Sequence, residues 1–303
     1  MLTAALDSYL ALRRTAGFTL QTAEKLLRHF VTFATQRGDV RIRSATAIAW
    51  ATLASAETHR AKRLRLVLHF ARFARVEDPT HELPPLHLFR GGTRRRHPYL
   101  FSDEEILRLL QHASQLRPAG TLRPLTYQTL LGLLIVTGMR ISEVLALRYA
   151  DLTPEGIVIA QTKFRKSRLV PLHPTARTAL EQFLLRRRRI VTADDHLFIS
   201  RRGQPYRYAT VAQTFTTLLA AAGSHGHPHS PRPRLHDFRH RFAVKALEAC
   251  PDSRDHVARH MLALSTYLGH ARVESTYWYL ETTPQLMLDI VAACETLRQG
   301  GQP

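Results

Sequence analysis

Val136-Thr137-Gly138-Met139-Arg140-Ile141-Ser142-Glu143-Val144-Leu145-Ala146-Leu147 is the stretch around which the rest of the chain falls into order. The apolar run Leu130 to Val136 leads into it as a helix, and Gly138 ends that helix, because glycine takes the left-handed backbone of a helix stop at no steric cost. A second helix restarts at once, with Ile141, Val144 and Leu145 at helical spacing. Arg140 falls in the first turn of that second helix. Its guanidinium there can address an anion already drawn by free backbone N–H groups. Alone, the same residues also fit a surface arginine beside a capped helix.

Working outward, helices are expected at 103–114, 121–137 and 141–148. Ser102 caps the first of them and Glu105 reaches back to it. Two short β runs follow, Gly156 to Thr162 and Ser167 to Pro171, joined by the basic turn Lys163-Phe164-Arg165-Lys166. Then come a helix at 174–189, a strand around His196 to Ser200 and a helix at 209–222. A proline- and histidine-rich loop spans Ser224 to Arg234, and helices run from His236 onward. On the N-terminal side, Leu2 to Thr15, Leu20 to Gln36, Ser44 to Leu53 and Glu57 to Val76 repeat apolar positions at helical spacing. Thr19 and Thr58 stand at caps or in first turns. Between the halves, Glu77 to Pro98 carries the prolines, glycines and the run Arg94-Arg95-Arg96 that stop regular structure. The expected division is a helical domain over 1–80, a basic linker over 81–98 and a second domain over 99–303. The fold class is mainly α with a small β-sheet.

Composition narrows the function classes. A chain of 303 residues suits two domains of ordinary size, and 45% hydrophobic with 22% charged residues describes a soluble protein. Lysine plus arginine total 43 against 24 acidic residues, a formal charge of +19 and a pI near 11.0. Self-repulsion of that size is relieved by a polyanion, and nucleic acid is the commonest one. The charge is spread along the chain instead of lining one amphipathic helix, which argues against a membrane surface. Leu130 to Val136 is far too short to cross a bilayer. No basic start followed by an apolar core marks a secretion signal, and Cys250 and Cys294, the only cysteines, fit a reducing compartment. A cytoplasmic protein is expected.

The chemistry concentrates in the second half. Lys163, in a tight turn between strands, can be lowered into a groove like a finger, or can be an ordinary solvated hairpin tip. In His236-Asp237-Phe238-Arg239-His240, His236 shares a helix face with Arg239 and with His240. A zinc reading of the two histidines fails, because Asp237 stands where a zinc protease has its glutamate and no third ligand has the right spacing. Tyr267-Leu268-Gly269-His270 is followed nine residues on by Tyr279, within Tyr277-Trp278-Tyr279, so one cleft can hold both His270 and Tyr279. Tyr277 and Trp278 also suit simple aromatic packing.

Taken in order, Arg140, Lys163, His236-x-x-Arg239, Gly269-His270 and Tyr279 closely resemble the tyrosine recombinases, the family of phage integrases, Xer resolvases and related transposases. The resemblance runs from Ser102 to Glu281. It is tightest in Thr-Gly-Met-Arg-Ile-Ser-Glu, Lys-x-x-Lys-x-Arg-Leu-Val-Pro-Leu and Leu-Gly-His-x8-Tyr. It implies a four-helix, SAM-like core-binding domain before a catalytic domain that is helical with a small antiparallel sheet. It implies site-specific breakage and rejoining of DNA through a 3′-phosphotyrosyl intermediate with Tyr279 as nucleophile. Arg140 and Arg239 would clamp the phosphate, His270 would add a hydrogen bond, Lys163 would protonate the leaving 5′ oxygen and His236 would assist at the tyrosine. Phe164 and Arg165 depart from the small or polar residues usual after the hairpin lysine, which leaves Lys166 as an alternative to Lys163. Two arginines, a lysine and two histidines need no metal, ester exchange needs no ATP, and no cofactor is expected. The partners implied are double-stranded DNA with inverted-repeat sites and a homo- or hetero-tetramer on it. Tyr-Trp-Tyr-Leu-Glu-x-Thr-Pro resembles members borne on mobile elements, so integration or transposition is expected ahead of Xer-type dimer resolution. A type IB topoisomerase shares the chemistry but acts without joining two sites. A catalytically idle DNA-binding protein of the same fold explains the charge but not the full set of reactive residues.

Overall fold

The structure is a computed structural model that describes residues 1–18, 20–89, 97–160, 167–224, 232–249 and 254–269, the last of these as backbone only over 254–258. The chain forms two compact units that part between Arg95 and Arg96.

The first unit is built from α1 (Leu2–Thr15), α2 (Gln21–Gln36), α3 (Ser44–Thr52) and α4 (Glu57–Ala74). Their apolar faces meet in a core around Leu6, Leu10, Leu27, Phe30, Trp50 and Phe70. Trp50 is fully buried, so its indole N–H needs a partner, and it donates to His29 Nδ1 at 2.7 Å. Phe30 packs edge-on against Trp50 at 5.3 Å, and the Arg63 guanidinium lies over the same ring at 5.1 Å. Thr58 lies in the first turn of α4, while Thr19 lies outside the described residues and the position preceding α2 is held by Leu20 with φ 46°. Neither α3 nor α4 has a side-chain cap at its own start. At the start of α3, and just before it, N–H groups are met from a distance. Ser44 N–H donates to Glu82 Oε2 at 2.7 Å and Ile42 N–H to His81 Nδ1 at 2.9 Å. Phe89 also packs on this core. The stretch 81–89, read from its prolines as the start of a linker, is therefore tied to the first unit.

In the second unit α5 (Asp103–Ser114) begins with the expected capping box, Ser102 Oγ accepting from Glu105 N–H at 3.2 Å and Glu105 Oε2 from Ser102 N–H at 2.9 Å. The central element is α6 (Leu122–Thr137), which packs against α5, α7 (Ile141–Ala146), α8 (Pro174–Arg187) and α10 (Asp237–Glu248). A helix touched on so many sides must be apolar nearly all round, and Tyr127, Leu130, Leu131, Leu133 and Leu134 are all buried. A short 3-10 turn (Tyr149–Asp151) leads to an antiparallel sheet of β1 (Leu152–Thr153), β2 (Gly156–Ile159) and β3 (Arg168–Pro171), in the order β1-β2-β3. β2 pairs β3 with Ile157 opposite Val170 and Ile159 opposite Arg168. α9 (Tyr208–Ala221) and α11 (Arg254–Leu268) complete the described elements. Among the described residues no helix is long and apolar enough to cross a membrane.

One expected element is absent: His196 to Ser200 forms two isolated bridges, Arg148 with His196 and Ile199 with Pro205, and no strand. Arg187 braces this segment instead. Its buried guanidinium takes the carbonyls of Leu197 at 3.1 Å, Asp194 at 3.1 Å and His196 at 2.8 Å.

Candidate active site

Four helix ends meet in the second unit. Gly138 closes α6 in the left-handed conformation, with φ 59°. A Cβ there would lie 2.5 Å from Phe242 Cδ1, so glycine is needed both for the turn and for the approach of α10. Arg140 stands one residue earlier than its sequence context suggests, at the N-cap of α7 and not inside its first turn. Nor is its backbone N–H free for a ligand. Glu143 reaches back and accepts it at 2.9 Å, so the anion at this helix start is the chain's own carboxylate.

The Arg140 side chain keeps about a third of its surface, with relative exposure 33%. It donates through Nη1 to Glu143 Oε1 at 2.8 Å and through Nη2 to the Gly269 carbonyl at 3.0 Å. A guanidinium carries five N–H groups, so donors remain beyond these two partners. Arg239, on α10, is only 2% exposed and spans two helix ends, donating to the carbonyls of Gly138 at 2.9 Å and Leu268 at 2.5 Å. The C-terminal carbonyls of α11, at Leu268 and Gly269, thus hold both guanidinium groups side by side. That is the negative end of the helix dipole, where cations are stabilised.

His236 is the N-cap of α10, and its carbonyl accepts Arg239 N–H at 3.1 Å. Its ring keeps an exposed face although protein crowds the remainder. That partial loss of water, then the nearby Arg239, Arg140 and Arg234, push its pKa down from 6.5 to about 4. The free protein therefore carries His236 as a neutral imidazole. His240 packs against it edge-on, ring centroids 4.7 Å apart. A stability consequence follows with a definite sign. The unfolded chain protonates His236 near 6.5 and the folded chain only near 4, so stability is lost as pH falls through that window. Urea midpoints at pH 7 and pH 5 should differ less in His236→Gln than in the parent, and an unchanged difference would remove His236 from that response.

Two side chains without an assigned role complete the arrangement. Arg168 forks onto Glu143, Nη1 to Oε1 at 3.1 Å and Nη2 to Oε2 at 2.7 Å, with both side chains 10% exposed. Burial would raise the Glu143 carboxyl. The Arg168 fork, the Arg140 N–H and the Arg140 guanidinium outweigh it and hold the carboxyl below its ordinary range. The parity of β3 carries the signal: Arg168 shares a face with buried Val170, which marks an inward charge in need of a partner. A cleft of about 630 Å³ opens beside Arg140 and Glu143, bounded by Val158 and Ile159 of β2 and by Arg148.

The structure thus brings together Arg140, His236 and Arg239. Lys163, its alternative Lys166, His270, Tyr277 and Tyr279 lie outside the described residues.

Comparison with known proteins gives concordant matches. The family model for the phage integrase family matches residues 100–285. The y4rB protein of Sinorhizobium fredii, a candidate integrase/recombinase by its name, is 38% identical over 301 residues, covering 96% of each chain. Tyrosine recombinase XerD of Halalkalibacterium halodurans is 29% identical over 241 residues, covering 78% of this chain and 75% of that one. Among solved structures, XerH site-specific recombinase bound to its palindromic difH substrate, in a post-cleavage complex, aligns with a TM-score of 0.65 at 18% identity. That alignment covers 89% of this chain and 77% of that chain.

Proposed function

Because the chain belongs to the phage integrase family, the tyrosine recombinases, we propose that it breaks and rejoins DNA site-specifically through a 3′-phosphotyrosyl intermediate formed on Tyr279. The observation that carries this reading is the pairing of Arg140 and Arg239 on the Gly269 and Leu268 carbonyls, immediately before His270 in the chain.

In the proposed reaction, Arg140 and Arg239 neutralise the non-bridging oxygens of the scissile phosphate, and His270 donates one further hydrogen bond. The Tyr279 hydroxyl attacks phosphorus as its proton passes to His236. Neutral His236 is available for that proton. The bond to the 5′ oxygen breaks, and Lys163, or Lys166 in its place, protonates the leaving group. Attack by another strand's 5′ hydroxyl reverses these transfers. One phosphoester replaces another, so neither ATP nor a metal enters. Each site cuts one strand, so exchange between two duplexes takes four protomers, homo- or hetero-tetrameric, on inverted-repeat DNA. The motif Tyr-Trp-Tyr-Leu-Glu-x-Thr-Pro, which resembles members borne on mobile elements, supports integration or transposition ahead of dimer resolution.

The test is incubation with nicked suicide duplexes drawn from the flanking genomic DNA, in EDTA and without nucleotide. A covalent adduct resistant to denaturant is expected. A strict magnesium requirement for the chemical step would exclude the tyrosine mechanism, and DNA binding with no adduct on any flanking site would favour the idle DNA-binding reading.

A further inference from the structure

We propose that Arg168 is a positioning residue whose charge keeps Arg140 available to the scissile phosphate, a proposal that rests on the recombinase reading above. Glu143 is claimed by two guanidinium groups. Its Oε1 accepts from Arg140 at 2.8 Å and from Arg168 at 3.1 Å, and its Oε2 from Arg168 at 2.7 Å and from the Arg140 N–H at 2.9 Å. One carboxylate cannot neutralise two cations, so the group keeps a net positive charge. The two ends of the group differ in access. Arg168 and Glu143 are 10% exposed and Arg140 33%, so the surplus is presented to the outside by Arg140.

Removing Arg168 changes that balance. Glu143 and Arg140 alone sum to zero, and in a largely dry setting the full attraction of the carboxylate falls on Arg140. Its fork is drawn inward and its pull on a phosphate is cancelled. Arg168 therefore acts by occupying Glu143, without touching the DNA.

Geometry ties Arg168 to two further parts of the site. It opens β3, five positions after Lys163 in the sequence, with Ile159 of β2 as its cross-strand partner. It also lies against Gly269, the residue whose carbonyl anchors Arg140 Nη2 at 3.0 Å. Gly269 has φ 65°, and a Cβ there would stand 2.9 Å from Arg168 Nη1. The hairpin root, the arginine clamp and the turn before His270 thus share one side chain.

The alternative is a plain structural tie between β3 and α7, and the two differ in the sign of a double substitution. Single-turnover cleavage of the suicide duplex, with full-length protein in excess, is the measurement. Arg168→Gln is expected to slow it about 100-fold. Adding Glu143→Gln should restore about tenfold of that loss, because a neutral amide no longer cancels Arg140. A structural tie predicts a double variant no faster than Arg168→Gln alone. That result overturns the proposal, as does an Arg168→Gln rate within about threefold of the parent. Should Arg168→Gln fail to fold by circular dichroism, Arg168→Lys decides. It retains the charge without the fork and should stay within about tenfold of the parent, and a 100-fold loss there also overturns the proposal. Absence of any covalent adduct from the parent protein would instead sink the recombinase reading, whatever the Arg168 variants do.

Discussion

Tyr279→Phe is expected to give no covalent protein–DNA adduct, a loss of at least about 1000-fold in cleavage, because the attacking oxygen itself is removed. DNA affinity should change less than about twofold, since a single hydroxyl contributes little against many phosphate contacts. The rival is Tyr277, two residues away, which helical spacing would turn by about 200° from Tyr279. Tyr277→Phe should keep its adduct. Peptide mapping of the parent adduct reads the answer directly. Phosphate on the Tyr277 side chain, or loss of cleavage in Tyr277→Phe alone, refutes the assignment of Tyr279.

Arg239→Ala carries the second large effect, and it acts on two quantities. Cleavage should fall about 1000-fold with loss of one arm of the phosphate clamp. Stability should fall as well, because the carbonyls of Gly138 and Leu268 both lose a donor in the interior. About 3 kcal/mol is the expected cost, read as a lowered denaturant midpoint with an unchanged slope. Arg239→Lys separates the two. A lysine restores charge but cannot span both carbonyls as a planar fork, so it should recover part of the stability and little of the rate. A full recovery of cleavage by lysine would mean that the fork itself is unimportant.

Periodicity carried most of the helical architecture, since α1 to α10 bury the faces that apolar spacing marks, and Ser102 with Glu105 form the capping box their identities imply. What spacing could not reveal is where long side chains spend their hydrogen bonds. Arg187 sits in the basic run Arg186 to Arg189, which reads as a solvated helix end. It is instead buried on the carbonyls of the next loop, where only isolated bridges form at His196 to Ser200. The same blindness applies in the site. Arg140 and Arg239 are legible from their turn and helix contexts, but their joint grip on the end of α11 joins Arg140 to Gly269, 129 residues on, and Arg239 to Leu268, 29 residues on. Glu143 and Arg168 stood inside recognisable motifs without a role. Only their mutual distance, across α7 and β3, gives them one. The Arg140 N–H was expected to be open to a ligand. A capping glutamate three residues on, as in α5, was the overlooked cue.

The remote capping of α3 by His81 and Glu82 bears on how such proteins can be reshuffled over evolutionary time. The bundle's last helix ends at Ala74, yet the groups that complete its third helix arrive later in the chain. A gene fusion that spliced the four helices onto a new catalytic partner just after α4 would inherit an unfinished module. It would leave the N–H groups of Ile42 and Ser44 without acceptors and strip Phe89 from the core. Successful exchanges of the helical unit between lineages therefore have to keep this tail with the bundle, and the natural seam for such exchanges lies beyond Phe89, close to the arginine run at 94–96.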